Sequence, residues 1–110
     1  MYQRGEIVLV DFPFSDLSAS KLRPALICSN ERIASTRDYL LIPITSKRHN
    51  DGLSLTLMKE DYNGQILPEK SELRFYKITA LSRVLLKKRI TRVTDEFMDE
   101  VIGRFMKLIR

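Results

Sequence analysis

The sequence predicts a mainly β fold that ends in one helix, arranged as a small, strongly curved antiparallel sheet or barrel with the helix packed on it. Short apolar or alternating segments, rich in β-branched residues, recur through the first 81 residues and are separated by polar stretches. After Thr94, apolar residues recur instead at helical spacing. The length of 110 residues fits one domain spanning residues 1–110, because such a chain can bury a sufficient apolar core.

Five segments have the composition of strands. They cover residues 7–12, 22–29, 39–45, 53–57 and 73–81. The first is a continuous apolar run, which predicts a strand buried on both sides and ended by Pro13. Pro43, inside the third, indicates an edge strand or a bulge, because proline has no N–H to donate to a neighbouring strand. The alternating pattern of the fourth predicts a half-buried strand.

The last part of the chain predicts a helix preceded by a short basic segment. In that segment, residues 83–94, Ile90 and Val93 are expected to contact the core. Thr94 is a good N-cap, and the acidic side chains at the next two positions favour the positive end of the helix dipole. The apolar stripe of the helix consists of Phe97, Val101, Ile102, Phe105, Leu108 and Ile109. Such a stripe usually packs on the sheet of its own domain and does not recognise a partner.

Charge and cysteine content narrow the class of protein. Lysine and arginine number 19 against 14 aspartates and glutamates, so the net charge of +5 favours a polyanionic partner such as nucleic acid, or indicates merely a basic surface. Cys28 lies inside an apolar run, which predicts a buried core residue and not a disulfide or a metal ligand. The N-terminal apolar stretch is too short for a signal peptide, and no run approaches the roughly 20 residues that span a bilayer. We therefore expect a cytoplasmic protein without a membrane segment.

Several enzyme signatures are absent from the sequence. It contains no glycine-rich phosphate loop, no nucleophile elbow and no metal-ligand spacing, and we expect neither a metal nor another cofactor. Chemistry on a phosphate without a metal stays open, because RNA supplies its own nucleophile, the ribose 2′-hydroxyl, and a protein need only orient and stabilise the reacting phosphodiester.

Two polar residues flank the central predicted strands: Arg23 enters the second and Thr45 leaves the third. If these strands are neighbours, a guanidinium and a hydroxyl meet at the rim of the domain, where the fork of arginine donors fits phosphate oxygens in pairs. The residues alone leave two other interpretations open. Arg23 is then paired with a carboxylate such as Asp11 or Glu31, and Thr45 is an ordinary strand residue.

Three motifs and the terminal helix carry a resemblance to a known family. The motifs are GEIVLVDF at residues 5–12, KLRPALI at residues 21–27 and IPITS at residues 42–46, and the helix begins near Asp95. In order and spacing they resemble the MazF/PemK family of toxin endoribonucleases over nearly the whole chain. The resemblance implies an SH3-like barrel, a homodimer, metal-independent cleavage of single-stranded RNA at short sequence motifs, and inhibition by a cognate antitoxin that occupies the RNA groove. It also implies DNA binding by the toxin–antitoxin complex.

The resemblance places Arg23 and Thr45 on the family's catalytic arginine and threonine. Arg23 is then expected to hold the scissile phosphate and offset its developing charge, because an arginine, with a pKa above roughly 12, is a poor general acid. Thr45 is expected to donate its hydroxyl to a phosphate oxygen. Where some members carry Arg-x-Asp, with the aspartate proposed as base, this chain has RFY at residues 74–76, so the general base is left unassigned. Histidine titrates near neutral pH, but the loop position of His49 favours a solvated side chain.

Further residues are expected to contact RNA. Cations track the backbone phosphates, and aromatic rings stack on bases that are splayed from a single strand. The candidates are Phe14, Lys21, Ser46, Lys47, Arg48, Arg74, Tyr76 and Lys77. We expect Phe12 or Phe75 to be buried even where Tyr76 is exposed. Two other functions stay open: a CcdB-type poison that binds DNA gyrase, since such poisons share the family's fold, and an RNA-binding barrel without catalytic activity.

Overall fold

The computed structural model describes residues 2–13 and 20–110, which form an antiparallel sheet with one C-terminal α-helix. The strands are β1 (Glu6–Pro13), β2 (Ser20–Ile27), β3 (Asp38–Thr45), β4 (Ser54–Leu57), β5 (Ser71–Arg74), β6 (Thr79–Ser82) and β7 (Leu86–Arg92). The helix is α1 (Asp95–Ile109), and short 3₁₀ helices lie at Glu31–Thr36, Lys59–Asp61 and Arg83–Leu85. The predicted fold class, mainly β with a terminal helix, is confirmed.

The strands form one sheet in the order β4-β5-β3-β2-β1-β7, and β6 pairs with a second part of β3. Every pair is antiparallel. Among the described strands, the outermost two, β4 and β7, do not pair with each other, so the sheet is open and is not closed into a barrel. A bridge between Tyr62 and Val93 links the chain after β4 to the chain after β7.

The central strands are apolar along most of their length because both faces of the sheet are covered. In β1, Ile7 belongs to one core cluster, whereas Val8 and Val10 belong to the other. β2 alternates in the same way, with Leu26 in the first cluster and Ile27 in the second. Because successive side chains of a strand point to opposite faces, a strand between two cores must be apolar at every position. The prediction that the first strand is buried on both sides is confirmed.

The helix α1 covers the first face of this sheet. Its residues Phe97, Met98 and Val101 are buried in the first core cluster, so the prediction that the helix packs on its own sheet is confirmed. The end of the predicted stripe does not reach that cluster, and Leu108 and Ile109 are exposed. In the described part of the chain, no helix is both long enough and apolar enough to cross a membrane.

The prediction of one strand over residues 73–81 is wrong. The structure divides this segment into β5 and β6, joined by a turn in which Lys77 N–H donates to the Arg74 carbonyl at 2.9 Å. The two short strands pair with different parts of β3: β5 with Ile44 and Thr45, and β6 with residues 38–41. The break is set by this change of partner, which the local composition of the segment does not encode.

Pro43 lies in a strand that pairs on both sides, so of the two predicted alternatives, an edge strand or a bulge, the edge strand is wrong. On the side of β3 away from β2, the pairing with β6 ends at Leu41 and the pairing with β5 begins at Ile44. Pro43 occupies the interval between these two partners. The missing N–H therefore lies where that side of the ladder changes from one neighbour to the next.

Residues 83–94, predicted as a short basic segment, contain the edge strand β7, which pairs with β1. Three consecutive exposed cations, Lys87, Lys88 and Arg89, lie in the middle of this strand. Because they interrupt the alternation of apolar and polar residues, the sequence pattern does not indicate a strand here. Charged side chains are common on edge strands, where they discourage pairing with other chains. The expected core contacts of Ile90 and Val93 are confirmed.

Candidate active site

The register between β2 and β3 places Arg23 and Thr45 on one face of the sheet. The two strands pair through residues 25–27 and 41–43, with Ala25 opposite Pro43. Residues directly opposite each other in an antiparallel pair point to the same face. Continuing this register by one more pair on the same face places Arg23 opposite Thr45. The guanidinium and the hydroxyl that the sequence singled out therefore lie on adjacent strands and on the same side.

A cavity of about 530 Å³ opens where β2 and β3 diverge beyond their last pair. Arg23 and Thr45 are both half-buried and both line it. The other lining residues are Lys21, Leu22, Pro24, Ile44, Ser46, Lys47, Leu67, Pro68, Glu69 and Ser71. The structure thus brings together five of the predicted site residues, since Lys21, Ser46 and Lys47 lie in the same cavity as the central pair. The lining residues that do not come from β2, β3 or the loop after β3 belong to the segment before β5 and to its first residue.

The side chain of Thr45 is held by its own loop. Its Oγ1 accepts a hydrogen bond from the backbone N–H of Lys47 at 3.1 Å. A hydroxyl that accepts through its oxygen retains its hydrogen for donation to another group. The hydroxyl of Thr45 is therefore fixed in position and is able to donate to a ligand oxygen in the cavity.

The charge around the cavity favours an anion. Lys21, Arg23 and Lys47 contribute positive charge, and Glu69 contributes the one carboxylate found among the described lining residues. Both lysines are exposed, whereas Arg23 is half-buried. Cations grouped in a concave surface raise the local concentration of anionic ligands more than the same charges spread over a flat one.

A buried carboxylate lies next to Thr45 in the sheet. Glu72 of β5 is directly opposite Thr45, and its exposed fraction is only 6%. Its Oε1 accepts the backbone N–H of His49 at 3.1 Å, and the imidazole Nδ1 of His49 lies 3.7 Å from the same oxygen. His49 is half-buried against this carboxylate, so the prediction of a solvated loop histidine is wrong. The contact fastens the loop that carries Ser46 and Lys47 to the sheet.

Arg74 does not line the cavity but is buried among protein partners, with an exposed fraction of 8%. Its guanidinium donates two hydrogen bonds to the carboxylate of Asp51, both at 2.9 Å, and others to Ser54 Oγ at 2.9 Å and Tyr76 Oη at 3.1 Å. These bonds from Arg74 lower the pKa of Asp51 to about 2 and raise that of Arg74 above its ordinary value. The donors of Arg74 are thus directed at the protein, and its assignment to RNA binding stays a prediction without support from the geometry.

Three of the remaining predicted residues do not line the first cavity. Tyr76 and Lys77 are exposed and line a second cavity that also includes Arg23. Arg48 is exposed on the loop after β3 but is not among the residues of the first cavity. Phe14 lies outside the described residues. The expectation for the neighbouring aromatics is confirmed, since Phe75 is 3% exposed and Tyr76 38%.

Sequence analysis missed Asp51, Glu69 and Glu72. Asp51 and Glu69 are loop residues. The partner of Asp51 and the strands that line the cavity with Glu69 are distant in sequence, so no local pattern marks either residue. Glu72 did leave a signal, because it alternates with Arg74 on a short strand that is buried at every position. A carboxylate and a guanidinium in a buried strand require partners, which points to a polar network on one face of the sheet.

Comparison with known proteins agrees with the family resemblance that the motifs carry. A family model described as PemK-like, MazF-like toxin of type II toxin-antitoxin system matches residues 3–109. This chain belongs to the PemK/MazF toxin family. No match to this member of the family is found among curated proteins.

Solved structures of PemK/MazF toxins share its fold at low sequence identity. The MazE–MazF complex of Deinococcus radiodurans (Form-III) superposes with a TM-score of 0.80 at 18% identity, covering 98% of this chain and 95% of that one. An endoribonuclease in complex with its cognate antitoxin, from a mycobacterial species, gives 0.76 at 18% identity, with 97% and 93% covered. The Mycobacterium tuberculosis toxin MazF-mt6 gives 0.69 at 13% identity, with 94% and 93% covered.

Proposed function

We propose that this chain is an endoribonuclease toxin that cleaves single-stranded RNA at short sequence motifs, by attack of a ribose 2′-hydroxyl on the adjacent phosphodiester. Membership of a family of toxins from type II toxin–antitoxin systems supports the toxin role. The observation that carries the proposal is the cavity between the ends of β2 and β3, where Arg23 and Thr45 face one space with Lys21 and Lys47. A phosphodiester is an anion with two free oxygens, and these groups supply donors and positive charge for it.

The proposed reaction exchanges one bond within the RNA. The 2′-oxygen bonds to phosphorus and the bond from phosphorus to the 5′-oxygen breaks, which leaves a 2′,3′-cyclic phosphate and a 5′-hydroxyl. Arg23 binds the non-bridging oxygens and stabilises the extra negative charge of the transition state. Thr45 donates its hydroxyl hydrogen to a phosphate oxygen, because its own oxygen is already engaged by the Lys47 N–H. The protein residues require no metal for these two roles.

Two protons move during this exchange, one from the 2′-hydroxyl and one to the 5′-oxygen. Glu69 is the carboxylate among the described lining residues, and in this proposal it accepts the first proton, while water supplies the second. Because a positioned general base contributes about 10²- to 10⁴-fold to a rate, we expect Glu69→Gln to lower kcat at least about a hundredfold with little change in RNA affinity. Glu60→Gln, an exposed residue outside the cavity, is the matched control. Unchanged cleavage by Glu69→Gln would assign proton transfer to another group.

The central test is cleavage of a mixed-sequence RNA by the purified protein in excess chelator, followed by mapping of the cut sites and of the end groups. We expect discrete cuts that leave cyclic phosphates, and loss of cutting in Arg23→Ala and Thr45→Ala. A Lys88→Ala variant, on the edge strand β7, is expected to cut normally. RNA that stays intact with the wild-type protein, or cutting that survives both substitutions together, contradicts the proposal. A DNA supercoiling assay in parallel examines the gyrase-poison alternative.

The same proposal includes partners: a cytoplasmic homodimer that is neutralised by a cognate antitoxin, which covers the cationic cavity. The solved relatives include toxins in complex with antitoxins. In this proposal the antitoxin contributes an acidic segment, because negative charge complements Lys21, Arg23 and Lys47. We expect the antitoxin to stop RNA cleavage and to protect Lys21 and Lys47 from acetylation, while the β7 lysines stay reactive. Protection of the β7 lysines alone would place the antitoxin on the other edge of the sheet.

A further inference from the structure

We propose that the second cavity, next to Arg23, binds the nucleobase that neighbours the phosphate in the first cavity, and that Asp51 and Arg74 position Tyr76 as a wall of this subsite. The proposal rests on the proposed function for the identity of the polymer, single-stranded RNA. It adds a second site that the catalytic motif does not predict. It also gives Arg74 a role, as a positioning residue, that differs from direct RNA contact.

The second cavity has about 490 Å³ and is lined by Phe12, Pro13, Arg23, Pro43, Tyr76, Lys77, Thr79 and Leu81. Arg23 belongs to both cavities, so a phosphate held by its guanidinium borders both of them. The two cavities differ in their walls. The second is mostly apolar and aromatic, and its polar groups are two cations and the hydroxyls of Thr79 and Tyr76. Such a composition suits a planar heterocycle attached to a charged backbone.

Tyr76 is placed in this cavity by a network that begins at a loop. Asp51 holds the guanidinium of Arg74 by two hydrogen bonds of 2.9 Å, and Ser54 Oγ accepts a third at 2.9 Å. Arg74 in turn donates to Tyr76 Oη at 3.1 Å, and its Cζ lies 5.0 Å from the ring centroid. The ring is thus held at its hydroxyl and beside its π-system before any ligand arrives. A side chain that is already ordered loses less conformational entropy on binding.

The exposure of Tyr76 distinguishes a ligand-binding role from a core role. Its neighbour Phe75 packs inside, at 3% exposed, whereas Tyr76 is 38% exposed although it is held by a buried arginine. The Lys77 ammonium lies 5.9 Å from the same ring and on the same cavity wall, where it is available to the next phosphate. An exposed, fixed aromatic ring with a cation beside it is the arrangement by which proteins bind unpaired bases.

The test is a binding scan with RNA from which single bases are missing. The protein carries Thr45→Ala to prevent cleavage, and the probe is a short fluorescent oligoribonucleotide, selected from a mixed-sequence pool for binding to this protein. Further probes replace one nucleotide at a time with an abasic residue. Because stacking of a base on an aromatic side chain is typically worth about 1–3 kcal/mol, adding Tyr76→Ala is expected to weaken binding of the intact probe about tenfold.

The expected signature is coupling at one position only. For the probe that lacks the base bound in the second cavity, adding Tyr76→Ala causes no further loss, whereas every other abasic probe loses affinity again. Met106→Ala, which removes an exposed apolar side chain from α1 outside both cavities, is the control and leaves all affinities unchanged. Equal binding with and without Tyr76→Ala, equal losses at every position, or no detectable binding of any probe would each overturn the subsite.

The positioning role of Arg74 has a separate readout. Tyr76→Phe keeps the ring but removes the hydroxyl that Arg74 holds, and it is expected to give a smaller loss at the same nucleotide position as Tyr76→Ala. Asp51→Asn is expected to weaken binding at that position too, because it loosens Arg74 without touching either cavity. If both variants bind every probe like the parent, the positioning role is wrong. Cleavage by the protein with Thr45 intact is measured independently, so RNA that is bound but uncut contradicts the proposed function and leaves the subsite to the abasic scan.

Discussion

At the scale of single residues, the surroundings of a charged side chain decide its role. Arg23 and Arg74 are both arginines in strands beside apolar residues, and the sequence led us to expect that both contact RNA. In the structure Arg74 is enclosed by Asp51, Ser54 and Tyr76, whereas Arg23 is half-buried at the meeting of two cavities. Arg74 is therefore suited to hold protein groups in place, and Arg23 is suited to meet a ligand.

The pair of Asp51 and Arg74 predicts a pH dependence of stability. The hydrogen bonds from Arg74 lower the pKa of Asp51 from 3.8 to about 2 in the folded chain. Because the folded pKa is the lower one, the ionised carboxylate stabilises the fold above about pH 4, and this contribution is lost as the pH falls through about 2. We expect Asp51→Asn to be less stable than wild type at pH 6 in urea unfolding, with a difference that shrinks towards about pH 2. A difference that stays constant over this range would contradict the pairing, and Glu60→Gln is the control.

The single cysteine predicts slow chemistry with thiol reagents. Burial raises the pKa of Cys28 to about 11, and its S–H donates to the Leu40 carbonyl at 3.3 Å. Since the thiolate is the nucleophile, alkylation by iodoacetamide at pH 8 should be on the order of a hundredfold slower in the folded protein than in guanidinium chloride. The rate of mass increase in the two conditions measures this. Equal rates would mean that the chain around Cys28, just after β2, opens readily.

The sequence was sufficient to group those candidate residues that lie on or just after β2 and β3. Lys21 and Arg23 are on β2, Thr45 ends β3, and Ser46 and Lys47 follow it. All five line one cavity, because neighbouring strands bring such residues together. Asp51 and Glu69 were not predicted, because a loop's path is fixed by distant contacts. The exposure of His49 was misjudged for a related reason, because its partner, Glu72, lies 23 residues further along the chain, on β5.

At the scale of elements, the fold could be predicted where the burial of a strand is the same along its whole length. β1, β2 and β3 are buried on both faces and show it as continuous apolar runs, and α1 has its stripe and its cap. The failures have a common cause, which is that the partner changes along the chain. β5 and β6 form one apolar segment that is divided because it meets two parts of β3. β7 is a strand only because β1 is beside it.

The start of α1 provides a measurable element. Thr94 Oγ1 accepts the backbone N–H of Phe97 at 3.1 Å, which satisfies one of the unpaired donors of the first turn. Replacement of such an N-cap by alanine typically costs about 1 kcal/mol, so we expect Thr94→Ala to lower the free energy of unfolding by about that amount. Thr94→Ser retains the hydroxyl and should lose much less. If the two variants are equally destabilised, the cap does not act through this hydrogen bond.

At the scale of the whole molecule, two groups of cations lie in different parts of the sheet. One group, Lys21, Arg23 and Lys47, surrounds the first cavity. A second group lies on the edge strand β7, where Lys87 and Lys88 are exposed and Arg89 contacts the buried Glu6 at 2.6 Å. In the order of the strands, β1 lies between β2, which carries Lys21 and Arg23, and β7, so the two groups occupy different parts of the sheet. The net charge of +5 therefore does not by itself tell where RNA binds.

Two double variants of equal charge separate local from overall electrostatics. Lys21→Ala with Lys47→Ala and Lys87→Ala with Lys88→Ala each remove two positive charges, the first pair at the cavity and the second on β7. Binding to single strands changes with salt by a slope of about 0.7 per neutralised phosphate, so loss of the cavity pair should reduce the slope of log affinity against log salt by about 1.4. The β7 pair should leave the slope near its wild-type value, because those lysines contact no bound phosphate and contribute only a screened, long-range attraction.

The measurement is the affinity of Thr45→Ala protein for a short single-stranded RNA over a series of salt concentrations. If both double variants changed the salt slope equally, RNA would be attracted by net charge alone. The first cavity would then not be the site that binds the phosphates.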